Sequence, residues 1–170
     1  QYDRLVKHLP MFDFKALSEC YRWNIFRKFR MHFLGNDTIY SVAKPLMDLL
    51  IEKRQDHSCM DGLYNSPSEA QLNADYQFYD CLGSHIKLLN AMKRYEEAYS
   101  YLKYFDNEEM AYCNASVNEA HYQVLKALNK KGEALETLKL AGKYNTVTNE
   151  MLQELRIQSG CKTHQELQKY

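Results

Sequence analysis

Proline and glycine are scarce. Three Pro and six Gly in 170 residues leave few points at which a helix must stop or a tight turn must form. No Asn-Gly or Asp-Gly pair lies between alternating apolar runs, and the one Asp-Gly, Asp61-Gly62, sits in a polar stretch, so the sequence gives no β-hairpin signal. Long apolar runs are missing too. The longest, Leu46-Met47-Asp48-Leu49-Leu50-Ile51, is far short of the roughly 20 residues a membrane-spanning helix needs. Neither charge is in excess, with Lys plus Arg and Asp plus Glu at 22 each, and so no global field draws the chain to nucleic acid or an anionic membrane. A Gly-rich phosphate loop, His-Glu-x-x-His, Gly-x-Ser-x-Gly and Cys-x-x-Cys are all absent. Catalysis has no sequence anchor, and an enzyme is not expected.

Cysteine is present but unpaired in pattern. Five residues, Cys20, Cys59, Cys81, Cys113 and Cys161, make an odd number with no two closer than 22 positions. This predicts free thiols in a reducing compartment, cytoplasmic or nuclear. Two glycosylation tripeptides, Asn36-Asp37-Thr38 and Asn114-Ala115-Ser116, argue the opposite in form but read better as helix caps. Cys81 and His85 stand one helical turn apart, and Asp56, His57 and Cys59 of the segment before this helix could join them. A structural zinc site takes four ligands of tight spacing. A buried thiol beside a hydrogen-bonded imidazole is the simpler expectation, and no metal or cofactor is predicted.

What the chain does carry is helical periodicity. Leu17, Tyr21, Ile25, Phe29 and Phe33 recur every four positions and Gly35 follows as a stop, which predicts an amphipathic helix over 14–34. Asp37 or Thr38 caps a second helix whose buried face is Ile39, Val42, Ala43, Leu46, Met47 and Leu50, with Pro45 expected to kink or restart it. Residues 55–65 lose periodicity and read as a loop. Ser66-Pro67-Ser68-Glu69 then combines a capping Ser, a Pro at the first helical position and a Glu three residues after the cap. Leu72, Tyr76, Tyr79, Leu82, Ile86, Leu89 and Met92 are the expected apolar positions of that long helix. A compact helix from Arg94, with Ala98, Leu102 and Phe105 on one face, is predicted to lie antiparallel to it. Ser116-Val117-Asn118-Glu119 supplies a second capping box before Ala120, Val124, Leu125 and Leu128. Further helices are expected from Gly132 to Ala141, from about Thr148 to Gln158, and from Thr163 onward.

Superposing Ala98 on Ala134, an offset of 36 residues, also aligns Glu97 with Glu133, Leu102 with Leu138, Leu89 with Leu125 and Ile86 with Tyr122. A small Ala where two helices approach, with larger residues one and two turns on, suits tight antiparallel contact, and hairpins of such a period stack into solenoids. Lys93-Arg94-Tyr95-Glu96-Glu97-Ala98 with Leu102, and Lys131-Gly132-Glu133-Ala134 with Leu138 and Ala141, make residues 79–142 resemble the tetratricopeptide repeat family. Neither copy has the family's early Trp or its final Pro, and the first leading helix is longer than the family norm. The resemblance implies a concave groove that holds a peptide or a helix of a protein partner. At its groove positions stand Gly83, Lys87, Ala120 and Gln123, and of these only Lys87 matches the clamp that some members use for a terminal carboxylate. Lys87, Asn90 and Lys126 are the partner-contact candidates it implies.

The segment from Arg22 to Phe33 interleaves Arg22, Arg27, Lys28 and Arg30 with aromatics, Trp23 among them, and has no acid between Glu19 and Asp37. It could hold phosphates or an acidic partner. At helical spacing its Phe residues equally read as core and its Arg residues as flanks that stretch their stems over it. Fourteen Tyr divide in expectation between inter-hairpin contacts and an outward protein interface.

The expectation is therefore one all-α domain over 1–170, a short tetratricopeptide-like solenoid or helical bundle: N-terminal helices over 1–54, a loop over 55–65 and repeat-like hairpins over 66–170. Its opening at Gln1 without a basic-then-apolar leader, and a last helix that stops at Tyr170, predict a piece of a longer protein. Its expected role is a non-catalytic protein-protein interaction scaffold in a multi-subunit complex, off the membrane and with a homodimer possible. A helical nucleic-acid-binding module that uses the basic helix 22–33 is the alternative.

Overall fold

The computed structural model describes residues 7–8, 13, 15–16, 22, 25, 37–54, 66–108, 114–144 and 146–159. Six helices and no strand occur among them: α1 Asp37–Glu52, α2 Pro67–Ala91, α3 Tyr95–Leu102, α4 Ala115–Ala127, α5 Lys131–Lys143 and α6 Asn149–Ser159. The fold is all-helical. The chain, expected as one domain, gathers into two compact units, Gln1–Met92 and Lys93–Tyr170. The predicted helix over 14–34 lies outside the described residues except at Lys15, Ala16, Arg22 and Ile25, and so do the predicted 55–65 loop and the helix from Thr163.

In the first unit α1 packs on α2. The buried residues of α1 are Ile39, Val42, Ala43, Leu46, Met47 and Leu50, the six that the spacing predicts, because i, i+3, i+4 steps keep one face turned to its neighbour. Pro45 does not restart the helix, which runs unbroken through it. The proline denies the Ser41 carbonyl its usual donor, but Ser41 and Pro45 are both exposed, so water can take that bond. Ser66 caps α2 as predicted: its Oγ accepts from the Glu69 amide at 3.2 Å, and Pro67 follows at the first helical position.

The buried stripe of α2 differs from the expected one. Ala70, Ala74, Phe78, Tyr79, Cys81, Leu82, Ile86, Leu88 and Leu89 are buried, whereas Leu72 is 56% and Tyr76 48% exposed. Two alanines, which let helices approach closely, take the inner positions of the first turns, and the larger pair is turned about 120–160° away from them. Arg54, just past α1, lies over the Phe78 ring at 4.5 Å and donates from Nη2 to the Tyr79 hydroxyl at 2.8 Å, a clasp between the end of α1 and the middle of α2.

In the second unit α3 packs on α4, α4 on α5 and α5 on α6. Tyr122, Leu125, Ala134, Leu138, Ala141 and Met151 form its core, with Tyr99, Leu102 and Val147 partly buried against it. Ala98 and Tyr101 are the buried residues of α3. Leu102 and Phe105, expected on its inner face, are half-buried, as is Leu128 beyond α4. The cap of α4 is Asn114, not Ser116: its Oδ1 accepts from the amides of Ser116 at 3.0 Å and Val117 at 3.4 Å, and the helix begins two residues earlier than predicted. Asn is at least as good a cap as Ser, and one here makes Ser116 helical. The Asn114 tripeptide is thus a capping segment.

Candidate partner-binding surface

The turn from α2 to α3 and the turn from α4 to α5 share one backbone geometry at the 36-residue offset. Met92 has φ −86° and ψ 0°, and Leu128 has φ −86° and ψ 6°. Lys93 and Asn129 follow in the left-handed region with φ 58° and 56°, the two non-glycine residues with positive φ among those described. Arg94 then has φ −89° and ψ 56°, Lys130 φ −85° and ψ 65°. Burial follows the same offset. Cys81, Leu82, Ser84, Ile86, Leu88, Leu89, Ala98 and Tyr101 are buried, and so are Val117, Asn118, Ala120, Tyr122, Val124, Leu125, Ala134 and Thr137.

This register gives the contact candidates a common logic. Asn90 and Lys126 occupy equivalent positions near the ends of α2 and α4, and Lys87 is the equivalent of Gln123. Lys87, Gln123 and Lys126 are exposed and Asn90 is half-buried. Two of the implied groove positions, Gly83 and Ala120, are buried. Lys87 and Asn90 stand about one turn apart on α2 in the first unit, and Lys126 belongs to the second.

Lys126 pairs with the Glu154 carboxylate of α6, which also accepts from the Tyr122 hydroxyl. Sequence reasoning had no route to Glu154, because it lies 28 positions away. Two similar ties close the second unit. Tyr99 donates to Glu133 at 3.0 Å while the Lys130 ammonium sits 4.2 Å over the Tyr99 ring. Glu108 accepts from Lys143 at 2.6 Å and from Tyr144 at 3.0 Å. The bonds from Lys143 and then Tyr144 hold the Glu108 carboxyl below its ordinary range. Contact with Tyr99, then with Glu133, holds the Lys130 ammonium above its own.

One residue pair escaped the sequence reading although the offset contains it: His85 aligns with His121. His85 is fully buried. His121 is stacked on Phe105 at 5.6 Å, and loss of water around the ring lowers its pKa to about 4 against a smaller upward pull from Glu133. Comparing residues 36 apart for polar as well as apolar identity would have found the pair.

Arg22 is 6% exposed and its Nη2 donates to the Lys15 carbonyl at 3.4 Å, so its guanidinium is turned into the protein. Arg27, Lys28 and Arg30 lie outside the described residues. Cys81 is a buried thiol, and Asp56, His57 and Cys59, the other donors named with Cys81 and His85, lie outside the described residues. Among the described residues no three His, Cys, Asp or Glu side chains gather as a metal site, and no helix is long and apolar enough to cross a membrane. Comparison with models of known protein families, with curated proteins and with solved structures finds no match.

Proposed function

We propose that the chain is a non-catalytic protein-protein interaction scaffold made of tetratricopeptide-like helical hairpins, working as part of a multi-subunit complex in the cytoplasm or nucleus. The observation that carries this reading is the coincidence, at one offset, of backbone dihedrals in two turns with the burial of residues on both sides of them. One turn geometry used twice, with buried and wet positions in one register on either side of it, suits a surface that takes a partner's helix or extended segment. On this reading the polar end of α2, with Lys87 and Asn90, and that of α4, with Lys126, each offer contact points.

The test is retention of protein from nuclease-treated extract on the immobilised full chain, wild type beside Lys87→Glu and Lys126→Glu. Retention of a protein by the wild type, weakened tenfold or more by the substitutions (about 1.4 kcal/mol per tenfold), is expected. Equal retention by all three chains would remove these positions from the surface. No retained protein would remove the scaffold reading itself.

A further inference from the structure

Two outer faces of the chain are left with matching character. On α2, Leu72 and Tyr76 are adjacent at i, i+4 and exposed, and Glu69 and Asp75 stand three residues to either side of Leu72. At about 100° per residue both acids flank it within about 60°. No Lys or Arg occurs between Ser66 and Ile86. On α5, Leu135 is 37% exposed, and Lys131 and Lys139, both exposed, stand four residues to either side. They lie within about 40° of it, whereas Glu133 and Glu136 point about 100° or more away. Neither lysine forms an ion pair among the described residues. One face is thus apolar with an acidic rim and the other apolar with a basic rim.

We propose that copies of this chain associate head to tail, the Leu72–Tyr76 face of α2 on one copy docking against the Leu135 face of α5 on the next. The occupant is a second copy because the two faces complement each other in charge, while a symmetric contact of either face with itself would set acid against acid or base against base. Where the same two copies do not return the contact, it is heterologous, and each added copy leaves one face of each kind open for the next. The apolar centre supplies attraction and the rims fix which face meets which. This inference uses neither Lys87, Asn90 and Lys126 nor any partner protein, so it stands or falls apart from the scaffold reading.

Sedimentation of the full chain tests it. At about 50 mM salt the mean mass should rise with protein concentration, and at about 500 mM it should return toward the monomer, as screening weakens the rims. The doubly substituted chains Glu69→Lys with Asp75→Lys and Lys131→Glu with Lys139→Glu should each associate at least tenfold more weakly, because each then carries two faces of one sign. An equimolar mixture of the two should regain association. All four positions are exposed or half-exposed, and circular dichroism checks that helix content is kept. A monomer at every concentration, or association indifferent to both reversals, would overturn the proposal. So would association that Leu72→Asp abolishes and the α5 reversal leaves untouched, which would mark a symmetric interface. Binding of a basic Leu-Lys model peptide to the α2 face without self-association would assign that face to another protein and also overturn it.

Discussion

The C-terminal half of α2 and its counterpart 36 residues on, α4, have one register but different surroundings. From Cys81 to Ile86 six consecutive residues of α2 are buried, and on the following turn only Lys87 is exposed. Between Val117 and Tyr122 the matching stretch of α4 leaves Glu119 and His121 half-buried, and Gln123, Lys126 and Ala127 are exposed. The difference falls at two positions: Gly83 against Glu119, where a carboxylate side chain stands in place of a hydrogen, and His85 against His121, where the residue is the same and the surroundings differ. In α2 the stretch from Cys81 to Ile86 is buried all round. In α4 polar groups bond to their own unit, Asn118 through Nδ2 to the Thr146 hydroxyl at 2.7 Å and Tyr122 to Glu154. One register of buried positions thus runs through a closely enclosed stretch of α2 and a more polar, more open stretch of α4.

The largest effect that would sharpen this comparison comes from one substitution made twice. Leu89→Ala and Leu125→Ala remove equivalent side chains, 0% and 1% exposed, and each should cost about 2–5 kcal/mol by lost burial and the cavity left behind. Leu89, on the enclosed helix, should lie at the upper end and Leu125 at the lower, read by urea denaturation. A larger loss at Leu125 would break the contrast.

Acid should discriminate next. His121 has a folded pKa of about 4 against an ordinary value of 6.5, so the folded state favours the neutral ring. Its contribution is whole above pH 6.5 and is lost as the pH falls from there toward 4, by about 2 kcal/mol once partial exposure of the ring is allowed for. His121→Phe keeps the ring stacked on Phe105 and removes the titration. The gap in stability between this variant and the wild type should therefore widen across that window, and parallel curves would show that His121 does not titrate there.

The smallest expected effect lies in the turns. Lys93 and Asn129 share a left-handed backbone, a conformation that asparagine adopts at lower cost than lysine. Lys93→Gly should raise thermal stability by about 0.5–1 kcal/mol and Asn129→Gly by less. The reverse order would mean that the Lys93 side chain supports its turn.

Much of this architecture is legible in the sequence, and where legibility fails the cause is physical. The face of α1 and the start of α2 could be read because each rests on neighbours within one or two turns. Leu72 and Tyr76, apolar by residue type, are exposed because apolar character alone does not decide burial. The inner positions of α2 went to Ala70 and Ala74, chosen by size at a close helix contact. Within the capping segment 114–116, Ser116 is the predicted cap and Asn114 the actual one, because the two stand two positions apart with equal capping chemistry. At the candidate surface, positions came from the repeat. Their partners did not, since the Glu154 tie on Lys126 and the Phe105 stack on His121 join residues that no periodicity links.

The central claim, that this chain works by holding another protein, is tested most directly by native affinity purification with and without nuclease, with the retained species weighed against the chain. The account predicts at least one protein at near-stoichiometric amount in both samples. Nucleic acid retained without nuclease, and no stoichiometric protein in either sample, would contradict it and return the function to the basic segment around Arg27, Lys28 and Arg30.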